Sequence, residues 1–155
     1  MENKKQAVLS LSGGMDSSTL LLHLLVEGYK VQCISFQYGQ RHSIEIERAK
    51  ELVEYLNSNP GNGTKEVYYV DHQIIKLDGL ENLLVSGLMN NNSMELKKGH
   101  YAHENALTTV VPNRNAIFAS ITYAVALSIV KKTGEPCKIA LGTHMGDFDN
   151  NKKQG

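Results

Sequence analysis

A strand, a glycine turn and a helix near the start of the chain limit its possible folds more than any other feature. Residues Ala7–Leu11 form a short apolar run that ends at Ser12–Gly14, a pattern that predicts a buried strand entering a tight turn. From Asp16 the spacing of apolar residues becomes helical, and Gly28 stands where a C-terminal cap is expected. The apolar face of this helix consists of Leu20, Leu21, Leu24 and Leu25. We also expect Met15 to lie in the core.

The same alternation continues along the chain. Strand patterns at Lys30–Phe36 and Glu66–Val70 flank an amphipathic helix at Ile44–Leu56. A β-α-β-α-β order with short connections is typical of a parallel sheet with crossover helices. We therefore predict an α/β fold, a Rossmann-like doubly wound parallel sheet.

The second half of the chain is less regular. An irregular insertion is expected at about residues 73–110, and a long insertion of this kind is usually a functional or a mobile loop. A helix at Ala116–Lys131 and a fourth strand at Lys138–Leu141 follow it. Residues 1–155 are interpreted as a single domain with strand order 3-2-1-4.

Composition excludes several classes of protein. The chain carries 16 basic and 16 acidic residues, so a nucleic-acid binder that depends on a basic surface is not expected. No apolar run reaches the roughly 18 residues that span a bilayer, and the N-terminal apolar stretch is short for a signal peptide. Two cysteines are too few for a disulfide scaffold. These observations favour a soluble protein of the reducing cytoplasm, with no membrane and no direct nucleic-acid partner.

The turn Ser12–Ser18 has the composition of a phosphate-binding loop. Glycines allow a close approach of the backbone to an anion, and the helix N-terminus supplies N–H groups and the positive end of a dipole. The hydroxyls of Ser12, Ser17 and Ser18 can donate hydrogen bonds, and Asp16 can hold a Mg²⁺ that rides on the phosphates. The loop has no lysine, which suits a pyrophosphate that leaves while the α-phosphate is attacked. The alternative is a plain N-capped turn.

The predicted topology places further residues at the same site. With order 3-2-1-4 the strand order reverses between the first and fourth strands, and ligands bind beyond the carboxyl ends of strands at such a point. Ser12–Ser18 and Gly142–Asp147 should therefore face each other, so that Gly142 lines the nucleotide site and His144 and Asp147 the substrate site. As a lone histidine, however, His144 is more often neutral scaffolding. The end of the second strand, Ser35, Phe36 and Gln37, is expected to offer backbone groups to an adenine edge.

Three motifs in series carry a resemblance. Ser12–Ser17 reads SGGMDS, Phe36–His42 reads FQYGQRH, and Val111–Asn115 reads VPNRN. The first resembles the PP-loop of the N-type ATP pyrophosphatases, whose fold is of the adenine nucleotide alpha hydrolase type. All three, in this order, resemble the 7-cyano-7-deazaguanine synthase family, from about Ala7 to Gly142.

The resemblance implies an ATP-dependent carbon–nitrogen ligase that forms AMP and pyrophosphate. Its partners would be ATP with Mg²⁺, 7-carboxy-7-deazaguanine and ammonia, and its product the nitrile precursor of queuosine and archaeosine. A homodimer is also implied. The alternatives are an adenylating enzyme with another acceptor and a non-catalytic nucleotide-binding module.

Two of the motifs supply candidate site residues. Asp16, Arg114 and Asn115 are the catalytic candidates, since the planar fork of Arg114 can clamp a phosphate or a carboxylate. The substrate candidates from the second motif are Tyr38, Gln40, Arg41 and His42. Arg114 can instead be a solvated residue at a helix start, although a cation is unfavourable there. Arg41 and His42 can equally begin the next helix in solvent.

The cysteines and histidines of this sequence are not expected to form a metal site. Cys33 lies in a strand pattern and is expected to be a core thiol, and Cys137 has no base beside it. His100 and His103 lie with Glu104 in a polar segment, where a solvated loop is favoured over a metal site. The resembled family continues past the fourth strand into a four-cysteine zinc cluster. We therefore expect this chain to be truncated, the alternatives being a naturally short homologue and a protein whose remaining half is a separate chain. Structural Zn²⁺ is expected only if such a cluster lies beyond Gly155.

Overall fold

The computed structural model describes residues 5–38, 43–59, 68–78 and 114–143. In these ranges strands and helices alternate from the first strand to the last. In chain order the elements are β1 Gln6–Ser10, α1 Met15–Val26, β2 Lys30–Gln37, α2 Ser43–Ser58, β3 Val70–Lys76, α3 Arg114–Thr133 and β4 Cys137–Leu141.

The strands form one parallel sheet of four, in the order β3-β2-β1-β4. This confirms the predicted fold class and strand order. Ser10 pairs with Ile34 on β2 and with Leu141 on β4, so β1 is central and the three strands end at the same edge. The strand order reverses at β1 and β4, which makes this edge the expected ligand side.

Helices cover both faces of the sheet, as the alternation of side chains along each strand requires. On one face α1 and α2 pack over residues such as Leu9 and Cys33, both with no exposed surface. On the other face α3 packs over Val8, Ile34 and their neighbours. A parallel sheet buried on both sides reads as near-continuous apolar runs, which is why β1 and β2 were recognisable in the sequence.

The third strand differs from its prediction. The pattern indicated Glu66–Val70, but β3 runs from Val70 to Lys76, with Tyr68 and Tyr69 outside it. The insertion predicted from residue 73 is corrected accordingly, since residues 73–76 belong to β3.

An interaction from α2 fixes the start of this strand. The Asn57 side chain donates to the Val70 carbonyl at 3.0 Å and accepts from the Val70 N–H at 2.9 Å, as a neighbouring strand would. β3 is an edge strand with a half-exposed surface, so its apolar pattern is weak. The apolar and aromatic run before it was therefore misread as the strand.

The helices follow their predictions more closely. α1 ends at Val26, and Glu27 and Gly28 follow it. Gly28 has the positive φ of 83° expected of a residue that caps the helix C-terminus. α2 and α3 each extend about one turn or less beyond the predicted bounds. Met15, expected in the core, is instead 81% exposed at the first position of α1, because the buried face of that helix begins at Ser17.

α3 is the one helix in the described ranges that is long and apolar enough to cross a membrane by length and composition. It packs along one side against β1 and β4 through Thr122 and Ala126, both buried. Tyr123 and Leu127 lie on its outer side and are about half exposed. In this fold α3 is therefore the covering helix of one sheet face.

Candidate active site

The turn between β1 and α1 is shaped by contact with α2. Gly13 has a φ of 80°, in the left-handed region that favours glycine. A Cβ at this position would collide with the carbonyl oxygen of Glu45 and lie 3.1 Å from the Ala49 amide nitrogen. Gly13 therefore lets the loop lie directly on the α2 backbone. This packing role was not predicted from the sequence, which indicated only a role toward an anion.

The serines of the loop differ in their roles. Ser17 is buried and its hydroxyl contacts the Ser12 hydroxyl at 3.0 Å, the Ser12 N–H at 3.2 Å and the Gly14 carbonyl at 3.3 Å. The Ser18 hydroxyl donates to the same Gly14 carbonyl at 2.7 Å. Ser17 thus stabilises the loop from inside, Ser18 bonds the same carbonyl from the exposed side, and Ser12 is exposed at the loop surface.

The N-terminus of α1 presents backbone donors beside this loop. Gly14 is the N-cap residue, and no side chain caps the helix. The first N–H groups of a helix have no partner within it, so those at the start of α1 are directed outward with the positive dipole end. Asp16 lies in this first turn and is exposed. A single exposed carboxylate fits Mg²⁺, which is commonly held by one or two carboxylates together with substrate phosphates.

The end of β4 meets this helix terminus, as the topology predicted. Gly142 follows β4, and a Cβ there would lie 2.9 Å from the Ser17 amide nitrogen and 3.1 Å from its Cα. The close approach requires a residue without a side chain. His144 and Asp147, predicted to extend this side of the site, lie outside the described residues.

The end of β2 turns its backbone groups alternately to its two neighbours. Gln37 accepts from the Leu77 N–H on the β3 side at 2.9 Å, and Ile34 accepts from the Leu11 N–H on the β1 side at 2.8 Å. By this alternation Ser35 also faces β3, while Phe36 faces the β1 side just beyond the last ladder bond. Of the three residues predicted to meet an adenine edge, Phe36 therefore has its backbone groups directed toward the loop.

A small cavity lies at this place. Its volume is about 50 Å³, and its walls come from the ends of β1 and β2 and the starts of α2 and α3. The lining residues are Ser10, Leu11, Ser12, Ser35, Phe36, Tyr38, Glu45, Ile46 and Phe118. The cavity is smaller than a whole nucleotide, so it can take only part of one, with the remainder along the open edge of the sheet.

Tyr38 and Arg114 bring the second and third motifs together. The Arg114 guanidinium donates a hydrogen bond to the Tyr38 hydroxyl. Phe118 is next to both residues: it lies one helical turn after Arg114 on α3, and its ring contacts Tyr38. Its ring stacks on Phe36 with centroids 4.2 Å apart and contacts Tyr38 at 5.3 Å. Arg114 is half-buried here and has a specific partner, unlike the solvated residue considered as the alternative.

The electrostatics of this pair follow from burial. Burial raises the pKa of Tyr38, the nearby Arg114 charge and hydrogen bond lower it in part, and Glu45 adds to the rise. The phenol is therefore protonated at neutral pH. Phe118 and Glu45 were not singled out in the sequence, although Phe118 lies four residues after Arg114 and hence on the same helical face.

Of the remaining candidate residues, some lie in the described ranges and others do not. Asn115 is half-buried in the first turn of α3, next to Arg114. Gln40, Arg41 and His42 lie outside the described residues, as do His100, His103 and Glu104.

The two cysteines do not fit a shared metal site. Both are free thiols, but Cys33 belongs to the core under α1 and α2 and Cys137 to the core under α3. The sheet lies between them. Burial raises the pKa of Cys33 to about 12, with a smaller effect from Asp71, and burial also raises that of Cys137. Both thiols are therefore protonated at neutral pH, and their positions on opposite faces of the sheet keep them from sharing a metal ion.

Comparison with known proteins identifies the family. The family model described as "Queuosine biosynthesis protein QueC" matches residues 6–150. The chain belongs to the QueC family. The matched range includes the Ser12–Ser18 loop, the end of β2 and the start of α3, so the QueC assignment covers the whole candidate site described above.

Relatives of the QueC chain carry a consistent name. Proteins named 7-cyano-7-deazaguanine synthase are 38% identical over 92% of this chain in Hahella chejuensis and 38% identical over 92% in Caldicellulosiruptor saccharolyticus. One from Methanoregula boonei is 40% identical over 80% of this chain. The matches cover 54%, 55% and 51% of these relatives, respectively. The chain thus spans about half the length of the relatives it matches.

Proposed function

We propose that this chain is the nucleotide-binding part of a 7-cyano-7-deazaguanine synthase. In this proposal it binds ATP with Mg²⁺ and activates 7-carboxy-7-deazaguanine by adenylation, with release of pyrophosphate. Ammonia displaces AMP from the adenylate to give an amide. A second ATP then adenylates the amide oxygen with release of a second pyrophosphate, and loss of AMP leaves the nitrile. A soluble cytoplasmic homodimer is part of the same proposal.

The observation that carries this proposal is the loop Ser12–Ser18 at the reversal of strand order. Its helix has a glycine N-cap and no capping side chain, so backbone donors are directed to the place where a phosphate would bind. Gly142 approaches the same helix turn from β4. The absence of a lysine from the loop agrees with a pyrophosphate leaving group, because no fixed side-chain charge of this loop holds the γ-phosphate.

Phosphoryl-transfer chemistry of this kind depends on positioning and charge stabilisation more than on a protein nucleophile. Asp16 would hold the Mg²⁺ that neutralises the phosphates. Ser12 and the N–H groups of α1 would orient the pyrophosphate. The Phe36 backbone would meet the base.

Arg114 would bind the charged acceptor or the α-phosphate. Its hydrogen bond to Tyr38 restrains the guanidinium, and the stack of Phe118 on Phe36 holds the helix turn that carries it. A planar fork held in this way suits a carboxylate or a phosphate in two-point contact. Asn115 stands beside it as a candidate partner of the substrate amide.

The experiment measures pyrophosphate release by the chain with Mg·ATP, with and without 7-carboxy-7-deazaguanine and ammonia. We expect release only when the acid is present. Asp16→Ala should abolish it while leaving the far-UV circular dichroism unchanged, since Asp16 is exposed. Glu47→Ala is the matched control, because Glu47 is an exposed carboxylate near the start of α2, paired with Lys50 at 2.7 Å.

Two results would contradict the proposal. One is pyrophosphate release that does not depend on the acid, which would indicate another acceptor. The other is full turnover by Asp16→Ala, which would show that the metal and phosphates are held elsewhere. Arg114→Lys should retain ATP binding and lose most turnover, because a point charge does not replace the planar fork.

A further inference from the structure

The carbonyl of Leu11 is held by a side chain where a backbone bond is expected. The β1–β2 ladder runs from Gln6 paired with Lys30 to Ser10 paired with Ile34, and the Leu11 N–H still donates to Ile34. In a continued parallel ladder the Leu11 carbonyl would accept from the Phe36 N–H. The pairing stops short of this, and the Leu11 carbonyl accepts from the Ser35 hydroxyl at 2.6 Å instead.

The Ser35 hydroxyl has a second partner, His72 on β3. Its oxygen lies 2.7 Å from the His72 Nε2 atom, and the Ser35 side chain is buried, with 1% of its surface exposed. A serine hydroxyl has one proton, and that of Ser35 is used on Leu11. The proton in the second bond therefore belongs to His72, which fixes the imidazole with its hydrogen on Nε2.

The resulting chain of donors runs in one direction, from His72 to Ser35 to Leu11. It runs from the first half of β3 through the end of β2 to the residue after β1, and it finishes one residue before the loop begins at Ser12. Ser35, Leu11 and Phe36 all line the cavity between the loop and the end of β2. The Phe36 N–H, which a longer ladder would have used, is thus kept at the cavity.

We propose that Ser35 and His72 are positioning residues that hold the end of β1 off β2, so that the Phe36 N–H stays available to an acceptor nitrogen of a purine base. The ligand part of this role rests on the proposed binding of ATP. The backbone part does not, because it concerns the protein without ligand. The two parts are tested by different measurements.

The backbone part is tested by amide hydrogen exchange at Phe36, measured by NMR on the free protein. In Ser35→Ala the Leu11 carbonyl loses its partner and can accept the Phe36 N–H. We expect exchange at Phe36 to slow by about tenfold or more, the factor that corresponds to about 1.4 kcal/mol. Ser35→Thr keeps a hydroxyl and should restore the original rate. A loss of packing alone would speed exchange, so the direction of the change is decisive.

The histidine has its own spectroscopic signature. Nitrogen-15 shifts of His72 should show a protonated Nε2 and an unprotonated Nδ1 at neutral pH. His72→Gln retains a side-chain N–H donor and His72→Leu does not, so exchange at Phe36 should slow in the leucine variant, as in Ser35→Ala, and return to the original rate in the glutamine variant. This pair also covers the case in which Ser35→Ala does not fold.

The ligand part is tested by the dissociation constant of Mg·ATP, measured by calorimetry on the same variants. Ser35→Ala and His72→Leu should each weaken binding by about tenfold, which is the value of a single lost hydrogen bond. Thr122→Val is the control, since the Thr122 hydroxyl is buried but donates to the Phe118 carbonyl at 2.7 Å, outside this chain of donors. It should leave the dissociation constant unchanged.

The outcomes separate the two proposals. A hydrogen on Nδ1 of His72, or exchange at Phe36 that is the same in Ser35→Ala, overturns the positioning role. No ATP binding by the unmodified chain would defeat the proposed function, and the exchange rates would still decide the backbone part. Slowed exchange with unchanged ATP affinity would show that the Phe36 N–H does not contact the base, and that also overturns the proposal.

Discussion

Substitution of Gly13 by alanine tests whether the Ser12–Ser18 loop packs directly on the backbone of α2. Two costs are expected. An alanine at a φ of 80° carries about 1–2 kcal/mol of backbone strain. Its Cβ would also collide with the Glu45 carbonyl, and because that atom is helix backbone it cannot turn aside. Forcing a methyl group into such packing costs about 1–3 kcal/mol. The expected loss is therefore about 2–5 kcal/mol in the free energy of unfolding.

Gly28→Ala separates these two costs. Gly28 has nearly the same φ, 83°, but nothing lies within 4 Å of an added Cβ. It should lose only the strain of about 1–2 kcal/mol. Both substitutions reduce the entropy of the unfolded chain equally, so that effect cancels in the comparison. The difference between the two variants isolates the contact with α2.

Urea unfolding followed by far-UV circular dichroism measures both variants. With a slope of about 1–3 kcal/mol per molar urea, a difference of about 1–3 kcal/mol moves the midpoint by roughly 1 M. Equal losses in the two variants would refute the seating of the loop on α2. If the two equal losses were also large, backbone strain alone would account for the lower stability. The predicted role of Gly13 toward an anion would then explain the glycine without a packing role.

Three further predictions follow from single contacts and shifted pKa values. Gly142→Ala should weaken Mg·ATP binding more than it lowers stability, because its Cβ would push against the Ser17 amide at the helix terminus; equal ATP affinity in calorimetry would contradict this. Cys33 should resist a thiol reagent at pH 8 until urea is added, and rapid labelling of the native protein would contradict this. The free energy of unfolding should fall as the pH rises above about 9, because the thiol ionises there in the unfolded chain and only near 12 in the folded one. Burial lowers the pKa of His72, and the Lys50 charge adds to this effect, so the histidine takes up a proton more readily in the unfolded chain. The free energy of unfolding should therefore decrease as the pH falls below about 6.5, and it should decrease less in His72→Gln.

The sequence predicted the parts of the fold that depend on local pattern and connectivity. Alternating strands and helices with short connections lead to a doubly wound parallel sheet. The order 3-2-1-4 then brings Gly142 to the start of α1. These steps need no knowledge of side-chain contacts, and the structure agrees with them.

What the sequence did not predict depends on contacts between distant residues. The start of β3 is set by the amide of Asn57, which lies in a helix 13 residues earlier. Ser17 looked like a ligand donor because hydroxyls in such loops commonly are, yet its hydroxyl is turned into the loop. Phe118 carries no chemistry by itself and becomes relevant only where α3 crosses the end of β2.

The end of β2 connects the two halves of the proposed site. Successive residues of a strand point to opposite faces, so Ser35 lies under α1 and α2 and Phe36 and Tyr38 lie under α3. On the first face Ser35 holds the residue that leads into the phosphate loop. On the second face Phe36 and Tyr38 hold the turn that carries Arg114. A shift of this strand end by a fraction of an ångström would therefore move the proposed phosphate donors and the proposed acceptor clamp together. The proposed reaction, which joins an acceptor to the α-phosphate, requires that the distance between these two groups be kept, and one continuous strand end is a direct way to keep it.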